Sequence, residues 1–224
     1  MPSETPALPL VYLFPAGVAT DAGPTAALKW APGEGPFGRS KAFAVNSAAC
    51  VVSTRRKVFT PEECARVVAV GDSLPGQDGG VEKGENLYRV SRIAWIEPND
   101  GTAWIFHRLA LAIVEANRAY GFELVGFAEA LQYTVYGPGQ RFDWHMDLGP
   151  GHTSARKLSI TLQLSGPDDY SGGALEFIGR PDAPERRALG SMTIFPSYVA
   201  HRVTPVESGI RRSLVAWAYG PSFR

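Results

Sequence analysis

The chain has 224 residues, 45% hydrophobic and 20% charged, enough to bury a core and too apolar for a disordered chain. Its 22 basic residues match 22 acidic ones, and a formal charge near zero argues against a nucleic-acid or anionic-membrane partner. No stretch approaches the roughly 20 apolar residues of a membrane span, and two cysteines, Cys50 and Cys64, cannot build a paired-cysteine zinc frame and read as free thiols of a reducing cytoplasm.

Residues 1 to about 45 are rich in Pro, Gly and Ala, show no sustained periodicity and read as a loop or extended arm. The apolar patch near the start lacks a basic segment and is broken by prolines, so no secretory leader is expected. A strand is expected within AFAVNSAACVVSTRRKVF. TPEECARVVAVGDSL predicts a helix: Thr60 can cap it, Pro61 suits its first turn, and Glu62 and Glu63 favour the positive end of its dipole. NLYRVSRIAWIEP alternates like a single strand, and GTAWIFHRLALAIVEANRAYGF predicts a second helix with Trp104, Leu109, Ile113 and Ala116 on its apolar side.

After about residue 126 the pattern changes to short strands punctuated by Gly and Pro: EALQYTVY, QRFDWHM, KLSITLQLS, GALEFIG, SMTIFP, AHRVTPV and RSLVAWAY. So many short strands suggest a sandwich or barrel. Helices first and strands second predict an α+β, mainly β fold, with the helices packed on one sheet.

Within QRFDWHMD, His145 and Asp147 stand two residues apart, so in an extended segment both side chains leave the same face. Two ligands hold iron or zinc poorly, and a third must come from the remaining histidines. His107 falls on a helix and His152 in the loop GPGHTS, whereas His201 opens a strand-turn-strand segment. Two histidines and one carboxylate form the facial triad of non-haem Fe(II) oxygenases, which leaves coordination positions open. A lone His-x-Asp is common by chance; the joint spacing is not. Ten residues after His201 comes Arg211, and Ser213 shares its face on a strand, a guanidinium and a hydroxyl suited to clamping a carboxylate.

The segments YGPGQRFDWHMD, LSITLQLSGPDDYSGGALEF and FPSYVAHRVTPVESGIRRSLVAW resemble the prolyl 4-hydroxylase-like branch of the 2-oxoglutarate/Fe(II) dioxygenases, bacterial hydroxylases above all. The likeness is close over residues 130–218 and looser over 55–220. It implies a double-stranded β-helix (jelly roll) with supporting N-terminal helices, its core at about 126–220 within a domain of 46–224. It implies Fe(II) on His145, Asp147 and His201, and the 2-oxoglutarate C5 carboxylate on Arg211, with Tyr136 and Ser213 beside it. Gly172 and Gly173 match the turn between two strands. Where Gln163 stands the family often carries an aromatic, and residues 1–45 match nothing in it.

The implied reaction uses O2 and 2-oxoglutarate, releases succinate and CO2, and hydroxylates an unactivated C–H bond of an amino acid, peptidyl residue or small molecule. Ascorbate is an expected stimulant. Phe142, Trp144 and Trp217 are candidate walls of the substrate pocket, Met146 should point away from the metal, and the loop 149–157 is a candidate entry lid. A non-catalytic metal-binding jelly roll and a cupin-like metal hydrolase are the alternatives; neither needs a dicarboxylate clamp.

Overall fold

The computed structural model describes residues 11–14, 25–28, 43–46, 48–79, 81–83 and 86–223. Most of the arm expected over residues 1–45 lies outside them; of the described part, Tyr12–Leu13 pairs with Gly126–Phe127 at the main sheet.

Two helices form where the sequence places them. Helix α1 (Pro61–Ser73) opens on a closed capping box: the Glu63 amide donates to Thr60 Oγ1 at 3.2 Å, and the Thr60 amide donates to the Glu63 carboxylate at 2.8 Å. Helix α2 (Ala103–Tyr120) stops at Gly121, whose φ of 69° is open to glycine and strained for other residues.

The strands that build the body are β1 (Ser53–Arg55), β2 (Asn86–Val90), β3 (Arg92–Ile96), β4 (Leu131–Tyr136), β5 (Arg141–His145), β6 (Arg156–Gln163), β7 (Tyr170–Gly172), β8 (Leu175–Phe177), β9 (Met192–Pro196), β10 (His201–Val203), β11 (Val206–Gly209) and β12 (Arg211–Tyr219). The main sheet runs β1-β9-β6-β12-β4-β3, with Gln77–Asp78 at its edge; the smaller runs β8-β10-β5-β2, with Val81–Lys83 outside; β7 and β11 pair as a ribbon. The pairings between these strands are antiparallel.

The two faces of the main sheet differ in chemistry. On β6, Leu158, Ile160 and Leu162 enter the apolar core shared with Val67 of α1 and Ile105, Leu109 and Ile113 of α2. The alternate residues Ser159, Thr161 and Gln163 face the other way, and β12 repeats the division with Leu214, Ala216 and Ala218 against Arg211, Ser213, Val215 and Trp217. A strand buried on both faces yet polar on one is lining a cavity rather than a second dry core.

One expected strand is corrected. NLYRVSRIAWIEP divides at Ser91: β2 joins the small sheet beside β5, and β3 joins the main sheet beside β4. Alternation fixes which face a residue takes but not which strand it pairs with. The ribbon of β7 and β11 was also unmarked in the sequence, because each strand is too short to show a period. No helix among the described residues is long and apolar enough to cross a membrane.

Candidate active site

Strand β5 ends on His145, directly opposite His201 of β10. The chain then turns so that the amides of Asp147 and Leu148 both donate to the Ser197 carbonyl, at 3.0 and 2.9 Å. The result is a cluster in which one ligand atom each of His145, Asp147 and His201 lies within 4.8 Å of the others. Asp147 Oδ1 is 3.7 Å from His145 Nε2, and its Oδ2 is 3.6 Å from His201 Nε2.

The protonation pattern suits a metal. His145 Nδ1 is 2.8 Å from the Asp143 carbonyl, and His201 Nδ1 is 3.0 Å from that of Val199. A carbonyl only accepts, so Nδ1 carries the proton on both rings and each Nε2 lone pair faces the cluster. Burial, then the neighbouring His201, lowers the His145 pKa to about 4, so the ring is neutral at physiological pH. Burial alone would raise the Asp147 pKa, but His201, His145, Arg156 and the Ser159 hydroxyl together hold it below its ordinary value. Two imidazoles with Nε2 turned inward and one carboxylate could hold a divalent iron ion.

Arg211 lies deeper in the same cavity, 2% exposed. Its register partner on β4 is Tyr136, its guanidinium sits 5.5 Å from that ring, and its Nη1 donates to Ser213 Oγ at 3.4 Å. No carboxylate among the described residues pairs with it. Arg212 leaves the opposite face, toward Asp72 of α1 at 3.6 Å. The Gly172–Gly173 turn makes room for Arg211: both have positive φ, and a Cβ on Gly173 would come within 3.1 Å of Arg211 Cδ. Gln163 donates to the Tyr170 hydroxyl at 3.0 Å, tying β6 to the β7 ribbon near this turn.

The cavity, about 340 Å³, is walled by Tyr88, Trp95, Phe142 and Trp217. Phe142 stacks on His145 with centroids 3.5 Å apart. Trp144 is corrected: it faces outward beneath Arg202 and beside Glu176 and Ile178, because the pairing of β5 with β10 shifts register between Phe142 and His145, which brings both of those side chains to the cavity and breaks the simple alternation between them. Met146 is 57% exposed, at the mouth. The loop 149–157 carries a short 3-10 helix, Gly151–Ala155, and Gly149 and Thr153 line the mouth. His152 is tied down at 3.0 Å from Glu129, and His107 meets Tyr12 on α2, away from the cluster.

Several site residues carry no signal in the sequence. Ser159 donates to Asp147 Oδ2 at 2.6 Å. Arg156 donates to the Asp147 carbonyl at 3.1 Å and to both Glu129 oxygens at 2.7 Å, with its guanidinium 3.9 Å from the Trp217 ring. Arg89 and Gln132 line the cavity from β2 and β4. Strand alternation from Arg211 would have turned Ser159 and Thr161 inward, but only once β6 was known to pair with β12.

Comparison with known proteins gives the family. The family model "2OG-Fe(II) oxygenase superfamily" matches residues 131–219. A PKHD-type hydroxylase of Hyphomonas neptunium (strain ATCC 15444) is 34% identical over 160 residues, 67% of this chain and 70% of that one. A PKHD-type hydroxylase of Synechococcus sp. (strain CC9605) is 31% identical over 148 residues, 65% of this chain and 67% of that one. In fold, a Pseudomonas putida prolyl-4-hydroxylase superposes with a TM-score of 0.57 at 20% identity, covering 78% of this chain and 95% of that one. The architecture is therefore the jelly roll of these oxygenases, and the chain belongs to the 2OG-Fe(II) oxygenase superfamily, as a hydroxylase related to the PKHD type.

Proposed function

We propose that His145, Asp147 and His201 hold Fe(II), that Arg211 receives the C5 carboxylate of 2-oxoglutarate, and that the chain hydroxylates an unactivated C–H bond of an amino acid, peptidyl residue or small molecule. The observation that carries this reading is the joint placement of the cluster and the buried, carboxylate-free Arg211 in one cavity. When bound, iron with 2-oxoglutarate and O2 supplies the oxidising chemistry, and 2-oxoglutarate leaves as succinate and CO2.

The protein's own part is positioning. The carbonyls of Asp143 and Val199 fix the tautomers, Ser159 and Arg156 fix the Asp147 turn, and Ser213 and Tyr136 flank the carboxylate clamp. Phe142 and Trp217 keep water from the reacting end, which strengthens each charge interaction inside.

Anaerobic loading with Fe(II) and 2-oxoglutarate, followed by O2, tests the reading: succinate should form and depend on both. Tight metal binding without succinate would leave a non-catalytic module. Hydrolysis without 2-oxoglutarate would leave a cupin-like hydrolase.

A further inference from the structure

Among the described residues, two nitrogen donors in the cavity have no acceptor. Arg89 Nη2 and Trp217 Nε1 are both buried without a hydrogen-bond partner. Each residue is 7% exposed, and each lines the cavity that holds the metal cluster and Arg211. The rest of the Arg89 fork is fixed: Nε donates to Ser91 Oγ at 3.0 Å, Nη1 reaches Gln132 Oε1 at 3.5 Å, and the guanidinium lies 5.0 Å from the Phe142 ring. A planar fork held on two sides with its third nitrogen free is prepared for an acceptor.

The charges point to what that acceptor is. The one acidic side chain lining the cavity among the described residues is Asp147. On the reading proposed above, iron and Arg211 are balanced by Asp147 and the two carboxylates of 2-oxoglutarate, and Arg156 is balanced by Glu129 at 2.7 Å. Arg89 is left over. Burial pushes its guanidinium below its ordinary pKa, while Tyr136 and Asp147 push it back up, and an arginine stays a cation in either case. A water molecule can satisfy the free N–H but cannot neutralise a buried charge. One leftover positive charge and one free arm match a monoanion.

We propose that the hydroxylated substrate is a carboxylic acid whose carboxylate is received by Arg89 and whose apolar body lies along Trp95 and Trp217. These two rings sit 6.4 Å apart, centroid to centroid, and form one aromatic wall leading to the cluster. Trp217 Nε1 offers a second hydrogen bond to the same molecule. The inference rests on the proposed placement of iron and 2-oxoglutarate. It adds a selection rule: acids are accepted, and the matching amides are not.

The test uses the full chain with Fe(II) and 2-oxoglutarate under argon. The probes are paired: aliphatic L-amino acids against their amides, and short aliphatic peptides with a free C-terminal carboxylate against the same peptides amidated. Quenching of tryptophan fluorescence reads binding, and substrate-stimulated succinate after O2 addition reads turnover. At least one acid should bind about 30-fold or more tightly than its amide, the lower end of what stranding a buried charge costs. The arm that responds tells a free acid from a peptide terminus. Arg89→Gln should erase the preference and Arg89→Lys should recover part of it, with thermal unfolding confirming that both variants are folded. Equal binding of acids and amides across all pairs would overturn the inference. A fall in 2-oxoglutarate affinity rather than probe affinity in Arg89→Gln would assign Arg89 to the cosubstrate and overturn it too. A wild-type chain that binds no 2-oxoglutarate would overturn the underlying reading as well.

Discussion

Ser159 Oγ donates a 2.6 Å hydrogen bond to Asp147 Oδ2, the same oxygen that lies 3.6 Å from His201 Nε2. A hydroxyl from the main sheet therefore aims a carboxylate carried by the loop after the small sheet. It accepts no proton from the site; it fixes which way the carboxylate lone pairs point.

Removing that aim should weaken the metal site without destroying it. Ser159→Ala is expected to lower Fe(II) affinity about 10- to 100-fold, read by anaerobic metal titration. His145→Ala, Asp147→Ala and His201→Ala should each abolish iron-dependent turnover. Wild-type affinity in Ser159→Ala would reduce that hydrogen bond to packing.

Arg211 and its neighbour Arg212 make a matched pair. Arg211 is 2% exposed and faces the cavity, while Arg212 faces Asp72 on the other side of the sheet. Arg211→Ala should raise the 2-oxoglutarate KM by about 30-fold to several thousand-fold, from ~2–5 kcal/mol for an unpaired buried charge, with iron binding largely kept. Arg212→Ala should leave KM within about twofold. Steady-state kinetics decides, and exchanged phenotypes would reject the assignment.

Two glycines with positive φ separate backbone strain from clamp geometry. Gly173 (φ 57°) would place a Cβ 3.1 Å from Arg211 Cδ and 2.9 Å from Val206 Cγ2, whereas Gly139 (φ 78°) has nothing within 4 Å. Both Ala variants should lose roughly 1–2 kcal/mol of stability from the left-handed backbone. Only Gly173→Ala should also raise the 2-oxoglutarate KM. Equal KM values for the two would mean that Arg211 is not held by this turn.

The cysteines should differ sharply in reactivity. Cys50 is exposed; Cys64 is 1% exposed inside α1, with its thiol pKa pushed up to about 11 by burial and then by Glu63 and Glu62. A thiol needs to be a thiolate to react. At pH 8 a thiol reagent should therefore label Cys50 at once and Cys64 only as fast as the protein unfolds. Rapid double labelling of the native chain would contradict the buried position of Cys64.

Much of the fold was legible because it rests on local chemistry. The Thr60–Glu63 capping box and the alternation of Leu158, Ile160 and Leu162 with Ser159, Thr161 and Gln163 are written in neighbouring residues. The residues of the candidate cluster were legible as well: His145 and Asp147 by their two-residue spacing, and His201 and Arg211 through the motifs of the family resemblance.

Tertiary structure alone decided the rest. Ser91 breaks one alternating run into strands of two different sheets, which places Arg89 in the cavity and Arg92 outside it, at Leu74 and Asp72. Trp144 and Trp217 look alike as motif tryptophans, yet one faces out and the other walls the site: regular alternation from Arg211 carries Trp217 inward, whereas the register shift between Phe142 and His145 turns Trp144 out. Glu129, Arg156 and Ser159 serve Asp147 from 18, 9 and 12 residues away only because β6 pairs with β12 and the turn after β5 folds back onto it. Sequence carries period and donor type along a single strand. Which strands become neighbours is settled by burying one face of the whole sheet at once, and the partners that aim, balance or leave a charge free are fixed only then.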